Sequence, residues 1–248
     1  MYKNLKAKLA NGELITGAWM MTVNPAFAEI ASALEIDFLV VDMEHGAIGL
    51  ADLPHILRGF HGPTVPLVRV PSAEPTFIAR VLDRGARGIM VPRVDDVETA
   101  RTAARASKYP PTGDRGLALP ALRASDYGLN STYRHQANDE FLTIIQLESK
   151  SAINLALDIG QEPGVDMVFI GPTDLAANMN LEGPSNKPEL DRVINDTASR
   201  CQSKKIPIGT ITYGGRTAQD LAAFRFQMVV VGSDVGMLRE ALSAVQKK

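Results

Sequence analysis

The sequence predicts an α/β protein built as a single (β/α)8 barrel, and three observations carry that prediction. A chain of 248 residues matches the roughly 250 that such a barrel typically needs. Short apolar runs alternate eight times with amphipathic stretches, as strands and helices do around a parallel sheet. The first run leads into Met21-Thr-Val-Asn-Pro, whereas an open doubly wound sheet usually begins with a glycine-rich turn.

Strands are expected at 15–20, 38–42, 65–70, 88–91, 142–148, 167–171, 207–211 and 228–232. Runs such as Phe38-Leu-Val-Val and Met228-Val-Val-Val are continuously apolar, as befits strands covered on both faces. Helical patterns fall between them at 25–34, 53–60, 75–83, 97–107, 152–159, 188–204, 217–224 and 236–245. One stretch, 108–140, breaks the rhythm with Tyr109-Pro-Pro-Thr-Gly-Asp-Arg-Gly and a polar segment. It is long for a connection and is read as a lid or a subunit contact. The segment 237–248 reads as an amphipathic helix whose basic end, Lys247-Lys248, suits its own dipole.

Composition excludes several classes. Net charge is −2 and the 26 basic residues are scattered, which argues against a nucleic-acid partner or a membrane-surface helix. A lone cysteine, Cys201, rules out a disulfide framework and a cysteine-based zinc cluster. The amino-terminal stretch is basic without the apolar core of a signal peptide. The apolar runs last five to seven residues, far below a membrane span. The expected setting is the reducing cytoplasm.

In a barrel, chemistry gathers at the carboxy-terminal strand ends. There the sequence places Asp42-Met-Glu-His45-Gly, Arg69, Gln146-Leu-Glu148 and Gly171-Pro172-Thr173-Asp174. Glu148 and Asp174 together suit a hard divalent cation such as Mg²⁺, Mn²⁺ or Co²⁺, although Asp174 also fits a helix cap. His45, three residues beyond Asp42, is either a general base oriented by that carboxylate or a loop histidine bonded to backbone. His55 and His61 sit in or after a helix and His135 in the irregular segment. Arg69, inside an apolar run, needs an anion, either a structural acid or a substrate. Gln146, flanked by Ile145 and Leu147, is either a substrate contact or a hydrogen-bonded core amide. The Gly171–Thr173 turn offers backbone N–H groups to a carboxylate or phosphate. None of the ten lysines falls within an expected strand, which disfavours a Schiff-base aldolase.

Taken together, Asp42-Met-Glu-His-Gly, Pro66-Leu-Val-Arg-Val, Gly88-Ile-Met-Val-Pro, Tyr109-Pro-Pro-Thr-Gly-Asp-Arg-Gly, Gln146-Leu-Glu and Phe169-Ile-Gly-Pro-Thr-Asp-Leu resemble the HpcH/HpaI class II aldolase family. That family includes 4-hydroxy-2-oxoheptanedioate aldolase, and the resemblance covers essentially the whole chain. It implies a metal-dependent, pyruvate-specific aldolase that cleaves a 4-hydroxy-2-oxo acid to pyruvate and an aldehyde. Glu148 and Asp174 would hold the metal, and pyruvate would chelate it. Arg69 would stabilise the enolate with Gln146 nearby. His45, paired with Asp42, would be the acid/base group, and the backbone of Gly171, Pro172 and Thr173 would hold the carboxylate. The resemblance also implies a homohexamer whose last helix packs on a neighbouring subunit. Ala47 and Ile48 name no aldehyde. The rival readings are a citramalyl- or malyl-coenzyme A lyase, an oxaloacetate-processing enzyme like macrophomate synthase, and a non-enzymatic barrel. A coenzyme A lyase would normally need a cofactor-binding extension, which 248 residues do not show.

Overall fold

A period of two sends every second strand residue inward, and that parity builds the molecule. The structure is a computed structural model that describes residues 2–246. Its eight parallel strands close into a barrel in chain order. They are β1 (Ile15–Met20), β2 (Phe38–Asp42), β3 (Val65–Arg69), β4 (Gly88–Val91), β5 (Leu142–Leu147), β6 (Met167–Ile170), β7 (Ile208–Ile211) and β8 (Met228–Ser233). Phe38 and Val40, Val65 and Leu67, Leu142 and Ile144, Met167 and Phe169, and Met228 and Val230 fill the interior. Their neighbours of opposite parity, among them Leu39, Val41, Val68, Ile145 and Val168, join a larger apolar cluster beneath the surrounding helices.

The helices are α1 (Leu5–Ala10), α2 (Pro25–Ala33), α3 (Leu53–Arg58), α4 (Pro75–Asp83), α5 (Val97–Ser107) and α6 (Tyr133–Glu140). They continue with α7 (Lys150–Asn154), α8 (Ala156–Gly160), α9 (Pro172–Asn178), α10 (Lys187–Ser203), α11 (Ala218–Ala223) and α12 (Asp234–Gln246). The helix expected at 152–159 is thus two short ones meeting at Leu155. Three helices fall outside the eight expected spans. α6 lies within the irregular segment, and α9 is the helix that Pro172 opens at its first turn. The third is α1, whose Leu5 and Leu9 enter the interior cluster and plug the amino-terminal end of the barrel.

The irregular segment between α5 and β5 also lies at that end, because α5 returns the chain there. Arg123 donates to the carbonyls of Arg84 (2.9 Å) and Leu57 (3.4 Å), and Arg115 pairs with Asp83 at 2.7 Å. Lys108 donates to the carbonyls of Asn138 (3.1 Å) and Phe141 (2.9 Å). The lid reading is therefore corrected: these contacts hold the segment at the amino-terminal end, away from the chain's own carboxy-terminal mouth. At α12, buried Asp234 accepts from the backbone N–H groups of Met21 (2.9 Å) and Thr22 (3.1 Å), which anchors the first turn. Beyond it Met237, Leu238, Leu242 and Val245 are exposed. The expected basic end, Lys247-Lys248, lies outside the described residues. Among the described residues no helix is long and apolar enough to cross a membrane.

Candidate active site

The inward parity of β2 and β3 ends in charge. Asp42 and Arg69 are register partners, one layer above Val40 and Leu67. Arg69 Nε donates to Asp42 Oδ1 at 2.9 Å, and Nη2 to Oδ2 at 2.6 Å. This two-pronged contact fixes the guanidinium plane. The indole of Trp19 lies under it, 4.3 Å from Cζ to the ring centroid. Burial by itself would lower the Arg69 pKa, but Asp42, then Glu44 and Glu148, hold it above the ordinary value. Arg69 is a permanent, oriented positive charge.

From β5 the same parity brings Gln146 inward, and Glu148 follows just past the strand. Gln146 Nε2 donates to Glu148 Oε1 at 3.0 Å, while its own Oε1 is buried without a partner. The Arg93 backbone N–H donates to Glu148 Oε2 at 3.1 Å. Arg93 adopts φ of 56° to do so, a left-handed conformation unusual for a non-glycine residue. Gly171 leaves room for this carboxylate, since a Cβ there would meet Glu148 Oε1 at 2.8 Å. Burial pushes the Glu148 carboxyl up to about 7, against the pull of the Arg93 N–H; Glu44 and Asp174 repel it further.

The imidazole is placed differently from the expectation. Asp42 does not meet the His45 ring. Its Oδ1 accepts from the backbone N–H groups of Glu44 (3.0 Å) and His45 (3.3 Å), turning the chain after β2. The carboxylate nearest the ring is Glu44, with Oε2 3.7 Å from His45 Nε2. The expected His45–Asp42 pairing is corrected accordingly, because the turn and Arg69 already occupy Asp42. The phosphate- or carboxylate-binding turn also narrows. The Gly171 N–H goes to the Leu147 carbonyl at 3.3 Å, and Pro172 has none. The open donors are those of Thr173 and Asp174, at the start of α9.

His45, Glu148 and Asp174 line one cavity of about 260 Å³ together with Glu44, Arg93, Asp95, Ser149 and Asn178. A larger cavity, about 520 Å³, lies at the opposite end between α1 and α6 and contains no residue of this set. Among the described residues no cluster of three or more His, Cys, Asp or Glu forms a metal cage. The donor set is two carboxylates, one of them desolvated, beside the unpartnered Gln146 oxygen. Hard oxygen donors of this kind fit a small divalent cation that keeps several waters. Glu44, Arg93 and Asp95 join the site beyond the residues expected from the sequence. For the last two the signal is the charged run Pro92-Arg93-Val-Asp95 directly after β4. Cys201 is buried, with its thiol pushed up to about 11 by desolvation, and takes no part.

A sequence profile described as HpcH/HpaI aldolase/citrate lyase matches residues 16–241. The chain is 37% identical, over 90% of its length and 87% of the relative's, to a 2-dehydro-3,6-dideoxy-6-sulfogluconate aldolase of Pseudomonas putida. It is 34% identical to a hydroxypyruvate/pyruvate aldolase of Roseovarius nubinhibens, covering 95% of this chain and 92% of that one. A crystal structure of an HpcH/HpaI aldolase/citrate lyase family protein from Burkholderia cenocepacia superposes with a TM-score of 0.90, at 30% identity over 98% of both chains. On this evidence the chain belongs to the HpcH/HpaI aldolase/citrate lyase family and is a lyase of the aldolase type.

Proposed function

We propose that the protein reversibly cleaves a 4-hydroxy-2-oxo acid to pyruvate and an aldehyde. One observation carries this reading: the buried Arg69 guanidinium, held rigid by Asp42, lies at the same barrel mouth as Glu148, Asp174 and an accessible imidazole. The pyruvate named in a relative's activity supports it. Glu148 and Asp174 are the residues that would hold Mg²⁺, Mn²⁺ or Co²⁺. When bound, such an ion supplies Lewis-acid positive charge to the 2-oxo group.

The chain's own groups divide the remaining work. Cleavage of the C3–C4 bond leaves an electron pair on the pyruvyl fragment. Arg69 faces the resulting enolate charge without reorganising, because Asp42 and Trp19 fix it beforehand. The 4-hydroxyl loses its proton as the bond breaks, and His45, half exposed at the cavity, takes it. Protonation of the enolate carbon releases pyruvate. The N–H groups of Thr173 and Asp174 face the substrate carboxylate, with Gln146 beside it. The active enzyme is a homo-oligomer, a hexamer by family resemblance, in which a neighbouring subunit covers the exposed apolar residues of α12.

Pyruvate release from a panel of 4-hydroxy-2-oxo acids, measured with each metal and with chelator, tests the reading. Cleavage should require metal and return when it is restored. Full turnover in chelator, with an imine trapped by borohydride, would overturn it. Light scattering tests the assembly, and an active monomer at micromolar concentration would refute that part.

A further inference from the structure

We propose that Glu44 is the carboxylate that positions the His45 imidazole and couples it to Arg69. The inference rests on the aldolase reading above and adds a residue to it.

Four hydrogen bonds already engage Asp42, none of them from the His45 ring. Its Oδ1 accepts from Arg69 Nε (2.9 Å) and from two backbone N–H groups, and its Oδ2 from Arg69 Nη2 at 2.6 Å. Glu44 is in the opposite condition. Its side chain is only 5% exposed, yet Oε2 accepts no hydrogen bond. Arg69 Nη1 lies 3.2 Å from that oxygen as an ionic contact, and His45 Nε2 lies 3.7 Å from it. The other oxygen, Oε1, is 3.1 Å from Arg93 Nε.

A buried carboxylate oxygen with an open lone pair is costly unless something donates to it. Besides the Arg69 guanidinium, the donor within reach is the imidazole N–H, and a side-chain adjustment of under an ångström closes that contact. Glu44 on one ring nitrogen leaves the other free to take the 4-hydroxyl proton. As that proton arrives and the C3–C4 pair moves onto the pyruvyl fragment, the imidazole becomes a cation beside Glu44. The same carboxylate braces Arg69 on the enolate side, so one negative charge serves both halves of the reaction. Asp42 holds the His45 backbone, and Glu44 holds its ring.

A double-mutant cycle on the metal-loaded enzyme tests this, with aldol cleavage and oxaloacetate decarboxylation measured side by side. Decarboxylation passes through the enolate without deprotonating an alcohol. Glu44→Gln should lower kcat for cleavage about 10–100-fold with little change in KM, and reduce the ratio of cleavage to decarboxylation. In a His45→Ala background the same substitution should cost less than about threefold, because its partner is gone. Glu44→Asp should recover part of the loss. Asp42→Asn should depress both reactions together, because it unseats Arg69. Equal costs of Glu44→Gln with and without His45 would overturn the proposal and send Glu44 to Arg69 alone. A His45-dependent, cleavage-selective loss in Asp42→Asn would overturn it in favour of Asp42. A wild-type enzyme inert toward every pyruvate and aldehyde pair would overturn the aldolase reading, and this one with it.

Discussion

The two ends of the barrel treat their carboxylates in opposite ways. At the amino-terminal end Asp37 accepts from Lys3 (3.0 Å), Lys8 (2.9 Å) and the Thr16 N–H (2.9 Å). Asp166 there meets Lys6 at 2.8 Å and Lys108 at 3.5 Å, and accepts from the Thr143 N–H at 2.8 Å. At the carboxy-terminal mouth Glu148 and Asp174 share a cavity with two further acids, Glu44 and Asp95, and no lysine. The titration follows the compensation. Burial opposes ionisation of Asp37, but its hydrogen bonds win and its pKa is lowered, whereas Glu148 is pushed up to about 7. Excess cation at one end clamps the plug helix α1 onto the sheet. Excess anion at the other is the charge that the proposed divalent ion would answer.

The sharpest way to break that comparison is to remove the mouth's acids. Glu148→Ala or Asp174→Ala should lower cleavage by about 10³-fold or more and abolish metal binding read by calorimetry. Asp166→Asn, an acid of the other end, should leave the activity of each folded molecule unchanged. Comparable losses from both ends would show that the contrast in compensation has no functional meaning.

Arg69→Lys comes next, with about 10²–10³-fold lost from kcat. An ammonium cannot keep the two-pronged contact with Asp42, nor the plane stacked on Trp19. Exchange of pyruvate methyl protons with solvent should fall in parallel, since it passes through the same enolate. Unchanged exchange would make Arg69 a structural residue.

The contrast between the ends was only half legible in the sequence. The eightfold alternation of apolar runs and amphipathic stretches announced the barrel, and Asp42 and Arg69 followed from it, because they stand at carboxy-terminal strand ends, where a barrel gathers its charged groups. Glu44 and Arg93 were harder to see, because their part depends on which way each loop turns after its strand, and Arg93 adopts a left-handed φ of 56° that the sequence does not announce. The spacing of Asp42 and His45 suggested a side-chain pair, but spacing does not reveal that a carboxylate is already turning the backbone. The amino-terminal end was legible least. Leu5 and Leu9 make a single apolar pair in a helix of six residues, too short to register as periodicity. The lysines that answer Asp37 and Asp166 are remote in sequence.

Stability should report that end. Asp166→Asn leaves the Lys108 ammonium buried without its counter-charge and weakens acceptance from the Thr143 N–H. The site is partly exposed, so the cost should be about 2–3 kcal/mol rather than that of a fully buried pair. A drop of about 5–10 °C in thermal midpoint is expected at this size. A shift below 1 °C would mean that the clamp contributes nothing.

The smallest effect is the most specific to Lys108. Burial pushes this lysine down to about 8, from an ordinary 10.5, with Asp166 opposing the shift and Lys6 adding to it. Between those two pH values the unfolded chain binds the proton that the folded chain has released. Stability from this group therefore rises with pH through the window, and the full penalty applies below about 8. Lys108→Met removes the titration. It also takes away the donor to the Asn138 and Phe141 carbonyls, so its absolute stability is a poor readout. The slope is the better one. Urea unfolding free energies of wild type minus variant should climb by about 1–2 kcal/mol between pH 7.5 and pH 10. Groups that do not interact with Lys108 cancel in that difference, including the tyrosines that titrate at the upper edge. Parallel pH curves would mean that the ammonium keeps its proton throughout, held by Asp166 and the two carbonyls. The amino-terminal end would then be fully compensated, and the contrast with the mouth sharper still.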